Sequence, residues 1–495
     1  MQHSVLSSIL EYLHGDGLVI LPEMELLLFA LGILIFDFLL EKKEKHWNAI
    51  LALFGVAASA FGLFLQSRRY NALRLDPAFS GDLVGFHNTV VVDGFFLTFA
   101  AIFLAATALV ALLSIRYLDV EREQEGEYYA LLLLACIGMM FMASGNDLIV
   151  LFLGLETMAL SFYVMTGFLR ANKRSNEAAL KYLLLGAFST GILAYGFSLL
   201  YGASASAVAF GGSPSTNLAR IGQALEWRLR HSLAHSDVDG LVVLAFVTVA
   251  AGMFFKVAAV PFHQWAPDVY EGAPTPVTAY VSVGSKTASF AMFIRLVFTV
   301  FGDWQATWLY LVAGVAIASL TWGNLAALTQ TNVKRLLAYS SIAHAGYILV
   351  GFAAVTGMVN SDSSGELGAS PAYAAVLFYL LSYALVKVGA FTVVSQLGGK
   401  DEKYVTLEDY AGLSERHPVA AAALSLFLLS LLGLPVTAGF FGKFYIFKAA
   451  VNANLIWLAI FVAVNSIIGA YYYFRLIVAM YMREPADQGL FEEQA

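Results

Sequence analysis

The sequence has 495 residues and lacks most of what enzymes use to hold cofactors. Its one cysteine, Cys136, allows no disulfide within the chain and no zinc or iron–sulfur site built from cysteines. The metal and nucleotide motifs HExxH, GxGxxG and GxxxxGK are missing, so the sequence predicts no metal site and no cofactor of its own. Charged residues make up only 13% and form no basic cluster, which argues against a nucleic-acid partner.

Apolar residues are present in great excess. Hydrophobic residues form 59% of the chain, and the mean hydropathy is +0.73. Ordinary soluble domains are about 45–50% apolar. The composition therefore predicts a polytopic membrane protein with one continuous membrane domain. The excess of phenylalanine and tyrosine is typical of aromatic belts at the two membrane surfaces.

Apolar runs of about 20 residues, each long enough to cross a bilayer as a helix, follow one another along the chain. The runs are continuously apolar rather than alternating, which excludes a β-barrel. The first run lacks the basic start of a cleaved signal peptide, and we expect it to be a retained span. The predicted fold class is all-α, with thirteen transmembrane helices. The predicted spans are residues 18–40, 47–65, 91–115, 128–144, 147–169, 177–201, 240–263, 275–300, 305–328, 334–355, 371–397, 418–447 and 453–480.

Lysine and arginine are distributed unevenly between alternate connections. If the N-terminus lies outside, the inside connections hold most of these residues, among them Arg116, Lys400 and Lys403. The outside connections hold few, and half of those lie in one long loop. The positive-inside rule therefore predicts an N-terminus outside the membrane and a C-terminus in the cytoplasm.

Several predicted spans contain an ionisable residue at membrane depth. A charge at the centre of a bilayer costs from about 3 to more than 10 kcal/mol, so each such residue is a hypothesis for a functional site. Lysine changes its protonation state readily when buried, whereas arginine stays charged. The pattern predicts a protein that moves charge across a membrane. The residues concerned are Glu156, Lys181, Lys256, Lys286, Lys387 and Lys443.

Two predicted spans contain helix breakers beside a lysine. Pro261 follows Lys256 in the seventh span, and Pro435 precedes Lys443 in the twelfth. Proline removes a backbone donor, and a membrane helix tolerates the break only where the freed carbonyls are buried in protein or face water. Such pairs of broken helices are typical of transporters with two repeated halves.

The positions of the breaks predict a domain organisation. Residues 1–126 form three N-terminal helices, residues 127–480 form the core, and residues 481–495 form a C-terminal tail. Within the core we expect two five-helix repeats, at about 127–300 and 305–480. An offset of five helices, an odd number, makes the two repeats inverted relative to each other in the membrane.

Four long motifs resemble the antiporter-like membrane subunits of respiratory complex I, the proton-pumping NADH:quinone oxidoreductase. The spellings LGLETMALSFYV and LPEMELLL are similar to those of its subunit N family. The resemblance covers nearly the whole chain. The motifs are SGNDLIVLFLGLETMALSFYVMTGF (144–168), PFHQWAPDVYEGAPTPVTAYVSVGSK (261–286), KRLLAYSSIAHAGYILVG (334–351) and LPVTAGFFGKFYIF (434–447).

The resemblance implies a role for four residues. Glu156 matches the glutamate of the fifth helix and Lys256 the lysine of the broken seventh helix, which together form a gate. Lys286 matches the lysine of the eighth helix, which links the gate toward the centre. Lys443 matches the lysine of the twelfth helix at the exit side.

Further candidates follow from the same resemblance. Lys181 matches a lysine of the sixth helix close to the glutamate, while His263 and His344 match histidines at the break and on the tenth helix. The family often has asparagine where this chain has Lys387, so this lysine is either an added relay group or a different hydrated side chain. The family also has a fourteenth helix, of which this sequence gives no sign.

The resemblance also implies partners and cofactors. We expect a hetero-oligomer with other membrane subunits of complex I, especially neighbours like subunits K and M, in the lipid of a bacterial inner membrane. FMN, iron–sulfur clusters and quinone are expected in the partner subunits and none in this chain.

Several alternatives stay open. Glu156 and Lys256 could form a buried ion pair that only fixes helix packing. The whole chain could be a subunit of an Mrp-type cation/proton antiporter or of the membrane arm of a related hydrogenase. A quinone-binding or scaffold subunit that pumps nothing is a third possibility, against which the repeated intramembrane lysines argue.

Overall fold

A computed structural model of the chain describes residues 16–41, 44–75, 82–123, 125–205, 213–231, 240–359 and 371–484. Helices account for most of the described residues, in agreement with the predicted all-α class. Each of the thirteen predicted spans overlaps a described helix, and the twelfth overlaps a pair of half-helices. The seventh, predicted at 240–263, covers a first half-helix and the break, and the second half-helix begins after its predicted end. The helices are α1 (Leu21–Leu39), α2 (Trp47–Arg74), α3 (Gly94–Glu121), α4 (Glu125–Ser144), α5 (Leu148–Thr166), α6 (Lys173–Ser204), α7a (Gly240–Lys256), α7b (Trp265–Gly272), α8 (Thr275–Val300), α9 (Gln305–Leu328), α10 (Val333–Val359), α11 (Pro371–Leu397), α12a (Pro418–Leu432), α12b (Ala438–Asn452) and α13 (Ile456–Met482).

Ten of the described helices are long and apolar enough to cross a membrane by themselves. The half-helices α7a and α12a are apolar but shorter, and α1 carries three acidic residues in its 19 positions. The polytopic membrane architecture predicted from composition is thereby confirmed. Helix α2 extends to Arg74, beyond the predicted end at residue 65, because its last residues are polar but continue the helix.

Both predicted breaks are present. Helix α7a ends at Lys256, and Ala258 adopts a left-handed conformation with φ of 57°. Helix α12a ends at Leu432, and Gly433 adopts φ of 88°, where the missing side chain avoids a steric clash. The amide of Leu434 then donates to the carbonyl of Leu429 at 3.0 Å, which closes the helix end.

The connections contain two elements that counting apolar runs did not predict. Strands β1 (Leu83–Gly85) and β2 (Val90–Val92) form an antiparallel hairpin, and Leu218–His231 forms a surface helix. This helix is amphipathic, with Leu218, Ile221 and Leu225 buried. Three-residue strands and a half-polar helix are too short or too mixed in hydropathy to register as spans.

Helices α8 and α10 lie at the centre of the bundle. Within their most apolar stretches, 89% of α8 and 94% of α10 is buried inside the protein, against 39% for α6 and α13. Ionisable side chains on α8 and α10 are therefore separated from lipid by a layer of other helices. The lysines of the neighbouring helices α7a and α11 point into the same interior, where they are buried.

Many tyrosines also occupy this interior, contrary to the expectation that they form surface belts. Fully buried tyrosines include Tyr270, Tyr347, Tyr379 and Tyr473. A buried tyrosine hydroxyl needs a hydrogen-bond partner, and the polar groups of the central helices supply one. A residue count cannot distinguish a tyrosine at the membrane surface from one beside a buried lysine.

Candidate functional site

Lys256 is the last residue of α7a and is 4% exposed. The carbonyl end of a helix carries partial negative charge, which stabilises a cation at this position. The Lys256 ammonium donates to the hydroxyl of Tyr163 on α5 at 3.4 Å and lies 5.8 Å from the centre of the Tyr163 ring. The predicted break thus places this lysine at a helix terminus inside the membrane.

Two side chains, one from α7b and one from α9, hold the freed backbone groups of the break. The indole Nε1 of Trp265 donates to the carbonyl of Phe255 at 2.9 Å. The amide of Val260 donates to the hydroxyl of Ser319 on α9, also at 2.9 Å. The break is therefore a fixed part of the fold, as expected for irregular backbone at membrane depth.

Glu156 lies on α5, about two helical turns before Tyr163, and is half-buried. Its Oε1 is buried without a hydrogen-bond partner among the described residues. The described salt bridges include none between Glu156 and Lys256, so the predicted pair is not a contact ion pair. The group that contacts Lys256 is Tyr163, on the same helix as Glu156.

Lys181 pairs with other carboxylates than Glu156. Its ammonium lies 2.8 Å from both Glu177, on the same helix, and Asp268 on α7b. Asp268 also accepts from Arg335 of α10 at 2.7 Å. The side chain of Lys181 is 42% exposed, so this lysine belongs to a charged cluster at the edge of the bundle.

Lys286 follows a π-helical segment, Val281–Ser285, in the middle of α8. The sequence predicted this lysine as a site residue, and the wider helical turn lies directly before it. The Lys286 ammonium is 2% exposed and donates to both the carbonyl and the hydroxyl of Ser341 on α10, at 2.6 and 2.7 Å. The Ser341 hydroxyl also lies 2.7 Å from Tyr383 and 3.3 Å from Tyr270.

Lys387 of α11 also faces α10 and has no exposed surface. Its ammonium donates to the carbonyl of Leu337 at 2.7 Å and to the hydroxyl of Ser340 at 3.2 Å. The rings of Tyr383 and Phe391 lie 5.8 and 5.7 Å from the ammonium. This residue, which departs from the family pattern, is thus integrated into the polar interior.

His344 of α10 lies between two tyrosines. Its Nδ1 is 2.6 Å from the hydroxyl of Tyr379, and its Nε2 is 3.2 Å from the hydroxyl of Tyr473. Tyr473 in turn lies 2.6 Å from Ser340, the partner of Lys387. A neutral imidazole has one donor and one acceptor, so His344 completes a hydrogen-bonded path between the tyrosines.

Lys443 lies after the second break, on α12b, and is half-buried. Its ammonium donates to the carbonyl of Leu432, the last residue of α12a, at 2.9 Å. It also lies 4.6 Å from the centre of the Tyr347 ring on α10. The second broken helix, like the first, therefore provides a carbonyl terminus for a cation.

One face of α10 joins these groups into what we call the central polar chain. Ser340, Ser341, His344 and Tyr347 lie at helical spacings that place them on one side of α10. The central polar chain comprises these residues together with Lys286, Lys387, Lys443 and the tyrosines Tyr379, Tyr383 and Tyr473. Among the described residues its hydrogen bonds form two groups, Lys286–Ser341–Tyr383 and Lys387–Ser340–Tyr473–His344–Tyr379, and Lys443 contacts α10 at the Tyr347 ring.

Aromatic side chains connect the Lys256 region to this chain. The ring of Tyr163 packs edge-on against Tyr182 at 4.7 Å, and Tyr182 stacks on Trp265 at 4.6 Å. Trp265 is 6.4 Å from Tyr270, whose hydroxyl reaches Ser341. The residues that the structure describes provide no continuous line of hydrogen bonds across this stretch.

His263 lies within the break of the seventh helix and outside the central polar chain. Its ring packs edge-on against Trp322 at 6.2 Å, and its buried Nδ1 lacks a hydrogen-bond partner among the described residues. The structure thus groups His344 and Lys387 with Lys286 and Lys443, and it places His263 and Lys181 elsewhere.

A second charged cluster, which the sequence did not predict, lies at one end of the bundle. Glu402 accepts from Lys334 at 2.6 Å, from the amide and hydroxyl of Thr275 at 2.6 Å each, and from Tyr117 at 2.9 Å. Lys334 has no exposed surface. The connection after α11 is thereby tied to α3, α8 and α10. A glutamate in a polar loop gives no sequence signal that distinguishes it from a solvated residue.

No group of three or more His, Cys, Asp or Glu residues that could hold a metal ion occurs in the described ranges. Cys136 is buried on α4. The central polar chain consists instead of hydroxyls, amines and an imidazole. Its chemistry is that of hydrogen bonding and proton exchange.

Comparisons with known proteins agree with the sequence motifs. The membrane family described as "NADH:quinone oxidoreductase/Mrp antiporter, TM" matches residues 144–469. NADH-quinone oxidoreductase subunit N 1 of Koribacter versatilis is 46% identical over 96% of this chain and 88% of its own length. NADH-quinone oxidoreductase subunit N of Trichlorobacter lovleyi is 40% identical over 95% of this chain and 88% of its own length.

Solved structures agree as well. A chain of respiratory complex I from Thermus thermophilus superimposes with a TM-score of 0.71 and 31% identity, covering 94% of this chain and 91% of that one. A chain of the Mrp complex from Dietzia superimposes with a TM-score of 0.74 at 22% identity, covering 95% of this chain and 81% of that one, which shows a shared fold only. The chain belongs to the subunit N family of NADH-quinone oxidoreductase, the respiratory complex I.

Proposed function

We propose that this chain moves protons across the membrane as a subunit of NADH:quinone oxidoreductase, while the redox reactions take place in other subunits. Glu156 and Lys256 act as the gate, Lys286 as the central link and Lys443 as the terminal donor. The central polar chain along α10 is the observation that carries this proposal. It places groups that both donate and accept hydrogen bonds between two of these lysines, Lys286, which bonds Ser341, and Lys443, which lies 4.6 Å from the centre of the Tyr347 ring.

Proton transfer along such a chain needs groups that accept a proton on one side and release one on the other. Hydroxyls and neutral imidazole do both, whereas a lysine ammonium only donates. Lys286 therefore carries the positive charge, and the hydroxyl of Ser341 is the first group that accepts a proton from it. His344, which is hydrogen-bonded to Tyr379 and Tyr473, can accept a proton at one ring nitrogen and release one at the other.

Lys387 extends the chain in this proposal. Its ammonium donates to Ser340, whose hydroxyl is bound to Tyr473 and through it to His344. A second lysine at this depth repels the charge of Lys286, so the two sites favour a single shared proton over two. Lys387 is thus proposed as a relay group.

The gate depends on distance as well as on charge. Because Glu156 does not touch Lys256, a small shift of α5 changes their attraction without breaking a direct contact. Opposite charges 4 Å apart interact by about 4 kcal/mol at an effective dielectric constant near 20, and the interaction weakens with separation. Tyr163 lies on the same helix as Glu156, so a shift of α5 also changes the 3.4 Å contact between Tyr163 and Lys256.

Lys181 and His263 have supporting roles in this proposal. Lys181 and Asp268 lie in a small cavity of about 170 Å³ together with Glu177, Glu271 and Arg335. This charged cavity, at the edge of the bundle beside α7b, is suited to bring water toward the gate. His263 is half-buried in the backbone break and is assigned to water contact there.

The assembly follows from the family. We infer a hetero-oligomeric membrane arm in the inner membrane of a bacterium, with neighbours like subunits K and M, and with the N-terminus outside. The core consists of residues 127–480, in two inverted repeats at about 127–300 and 305–480 that follow three N-terminal helices. FMN, iron–sulfur clusters and quinone belong to partner subunits, and this chain holds no cofactor.

A cation/proton antiporter of the Mrp type, or the membrane arm of a hydrogenase, is the alternative function. The fold shared with the Mrp chain of Dietzia favours it only at the level of architecture. Purification of the chain from its native membrane distinguishes the two. Recovery of NADH-oxidising subunits supports complex I, and recovery of antiporter or hydrogenase subunits alone contradicts it.

The proton-moving role is tested by replacing Lys256 with alanine. We expect the complex to assemble, because Lys256 contributes one 3.4 Å hydrogen bond and no salt bridge that the structure describes. Quinone reduction and the pH gradient are measured in the same vesicles. Loss of the pH gradient in an assembled Lys256→Ala complex supports the gate, and normal pumping refutes it. Lys173→Ala, an exposed lysine at the start of α6, is the control.

A further inference from the structure

A groove of about 750 Å³ lies between α3 and α11 at one end of the bundle. We call it the α3–α11 groove. Its inner wall is apolar and includes Leu109, Leu112 and Val120 of α3. These three side chains are 38%, 54% and 41% exposed, so nothing in the described chain covers them. The groove is large enough for a ligand of drug size or for part of a lipid.

The rim of the groove is basic. Arg116 of α3 and both Lys400 and Lys403 of the following connection line it, and all three are exposed. In the described part of the chain, neither Arg116 nor Lys403 takes part in a salt bridge. The three cations lie near helix ends, at the level where an apolar span meets water.

Two carboxylates of this region, Glu402 and Glu121, bond other partners, and two further ones, Asp119 and Asp401, are exposed. Glu402 is occupied by Lys334, Thr275 and Tyr117. Glu121, at the end of α3, accepts from the amide of Asp401 at 2.9 Å. Neither carboxylate lines the groove. The charged residues that line the groove are therefore all basic, and Glu402 and Glu121 are bonded within the protein.

We propose that the α3–α11 groove binds an anionic phospholipid of the adjacent leaflet. The arrangement has two zones that match the two parts of such a molecule. Arg116, Lys400 and Lys403 attract the phosphate, and the exposed leucines of α3 accept the acyl chains. Basic pockets between membrane helices are suited to anionic head groups, and each lysine or arginine near the surface contributes about fivefold in affinity.

Charge complementarity favours a lipid over a neighbouring protein. A protein surface packed here would bury Arg116 and Lys403 and would need carboxylates of its own to compensate them. A phospholipid supplies the anion and the apolar tails together, and it is present at high concentration around every membrane helix. The inference does not depend on the proton-moving function.

The bound lipid also contacts the connection that carries Glu402. Gly399, Lys400, Lys403 and Tyr404 line the groove, and Glu402 lies among them in sequence. Glu402 fastens this connection to three helices, including α8 and α10. A lipid in the groove therefore contacts this connection on the side that faces the groove. On its other side the connection is bound, through Glu402, to the helices that carry the central polar chain.

Photo-crosslinking in membranes that contain the assembled complex tests the proposal. The probes are phosphatidylglycerol and phosphatidylcholine with the same photoreactive acyl chain. We expect phosphatidylglycerol to label peptides that contain residues 109–120 and 392–404, at least about fivefold more than phosphatidylcholine does. Equal labelling by the two lipids, or labelling of neither peptide, would overturn the proposal.

Two double variants distinguish the effect of the groove on labelling from the effect of general surface charge. Arg116→Gln with Lys403→Gln should lower the labelling by about 25-fold, since two cations are lost. Arg170→Gln with Lys173→Gln removes two exposed cations outside the groove and should leave it unchanged. The same decrease in both pairs would mean that surface charge alone attracts the lipid, against the proposal.

A third variant tests the apolar zone. Thr392→Trp fills the groove from α11 without changing charge and should reduce the labelling at least as strongly as the loss of one cation. Millimolar inorganic phosphate should not compete. Competition by phosphate together with normal labelling of Thr392→Trp would identify a free-anion site instead. Labelling of the isolated chain but not of the complex would mean that a partner subunit covers the groove, which also contradicts the proposal.

Discussion

The ammonium of Lys286 on α8 donates to both the carbonyl and the hydroxyl oxygen of Ser341 on α10, at 2.6 and 2.7 Å. This double contact links the two most central helices of the bundle. The contact with the carbonyl does not depend on the rotamer of the serine side chain, so it anchors the lysine in each of them. The hydroxyl, bound also to Tyr383, is the group through which a proton can leave.

Replacement of Ser341 by alanine tests that assignment. The carbonyl contact stays, so Lys286 remains anchored and the complex should assemble. Loss of a hydrogen bond to a charged group costs about 1.5–3 kcal/mol, and we expect pumping to slow by about tenfold or more. The pH gradient formed per quinone reduced in vesicles is the measurement. Ser289→Ala, which removes a hydroxyl that bonds only its own helix at Ser285, is the control.

Glu156→Gln should impair pumping, and Glu156→Asp should retain part of it. The glutamine removes the charge that acts on Lys256 from a distance, whereas the aspartate keeps the charge and shortens its reach. Because no contact ion pair is lost, assembly should be normal in both variants. Pumping of Glu156→Gln at the wild-type rate would show that charge coupling at this pair is not the mechanism.

Two substitutions of Lys387 distinguish a proton-relay role of this residue from a packing role. Its ammonium binds Leu337 and Ser340, so we expect Lys387→Met to slow pumping severely. Lys387→Asn restores the residue that the family often has and keeps a polar group able to order water. A severe defect in both variants indicates a lysine that carries protons, and a defect in Met alone indicates hydration. Normal pumping in both contradicts the relay proposed for this residue.

Glu402→Ala should destabilise the protein more than other substitutions of loop carboxylates. It leaves the Lys334 ammonium, which has no exposed surface, without its ionic partner, and breaking a buried pair costs about 3–5 kcal/mol. The single cysteine provides the measurement, because Cys136 is buried and reacts with a fluorogenic maleimide only after unfolding. Thermal unfolding followed in this way should begin at a lower temperature in Glu402→Ala. Glu415→Ala, which replaces an exposed glutamate, serves as the control. Equal changes of the unfolding temperature in the two variants would contradict the stabilising role of Glu402.

The sequence by itself determined the class of the protein and its charged residues. Apolar runs of helical length can only be spans in a chain this poor in charge, and Lys256, Lys286, Lys387 and Lys443 stand out because a charge at membrane depth is costly. Both helix breaks followed from Pro261, Gly433 and Pro435. These properties are local, and a linear pattern is sufficient to recognise them.

The tertiary structure decided which groups those charges touch. Ser341, His344 and Tyr347 lie on one face of α10, but only the packing of α10 against α8, α11 and α12b directs that face toward the lysines. Hydroxyls cost little in a span, so Ser341, Tyr163 and Tyr379 gave no signal in the sequence. The same packing turned Lys181 toward Asp268 and brought Lys256 to the hydroxyl of Tyr163 instead of into a salt bridge with Glu156. Contacts between residues far apart in the chain depend on how whole helices pack, and the pattern within each helix does not fix them.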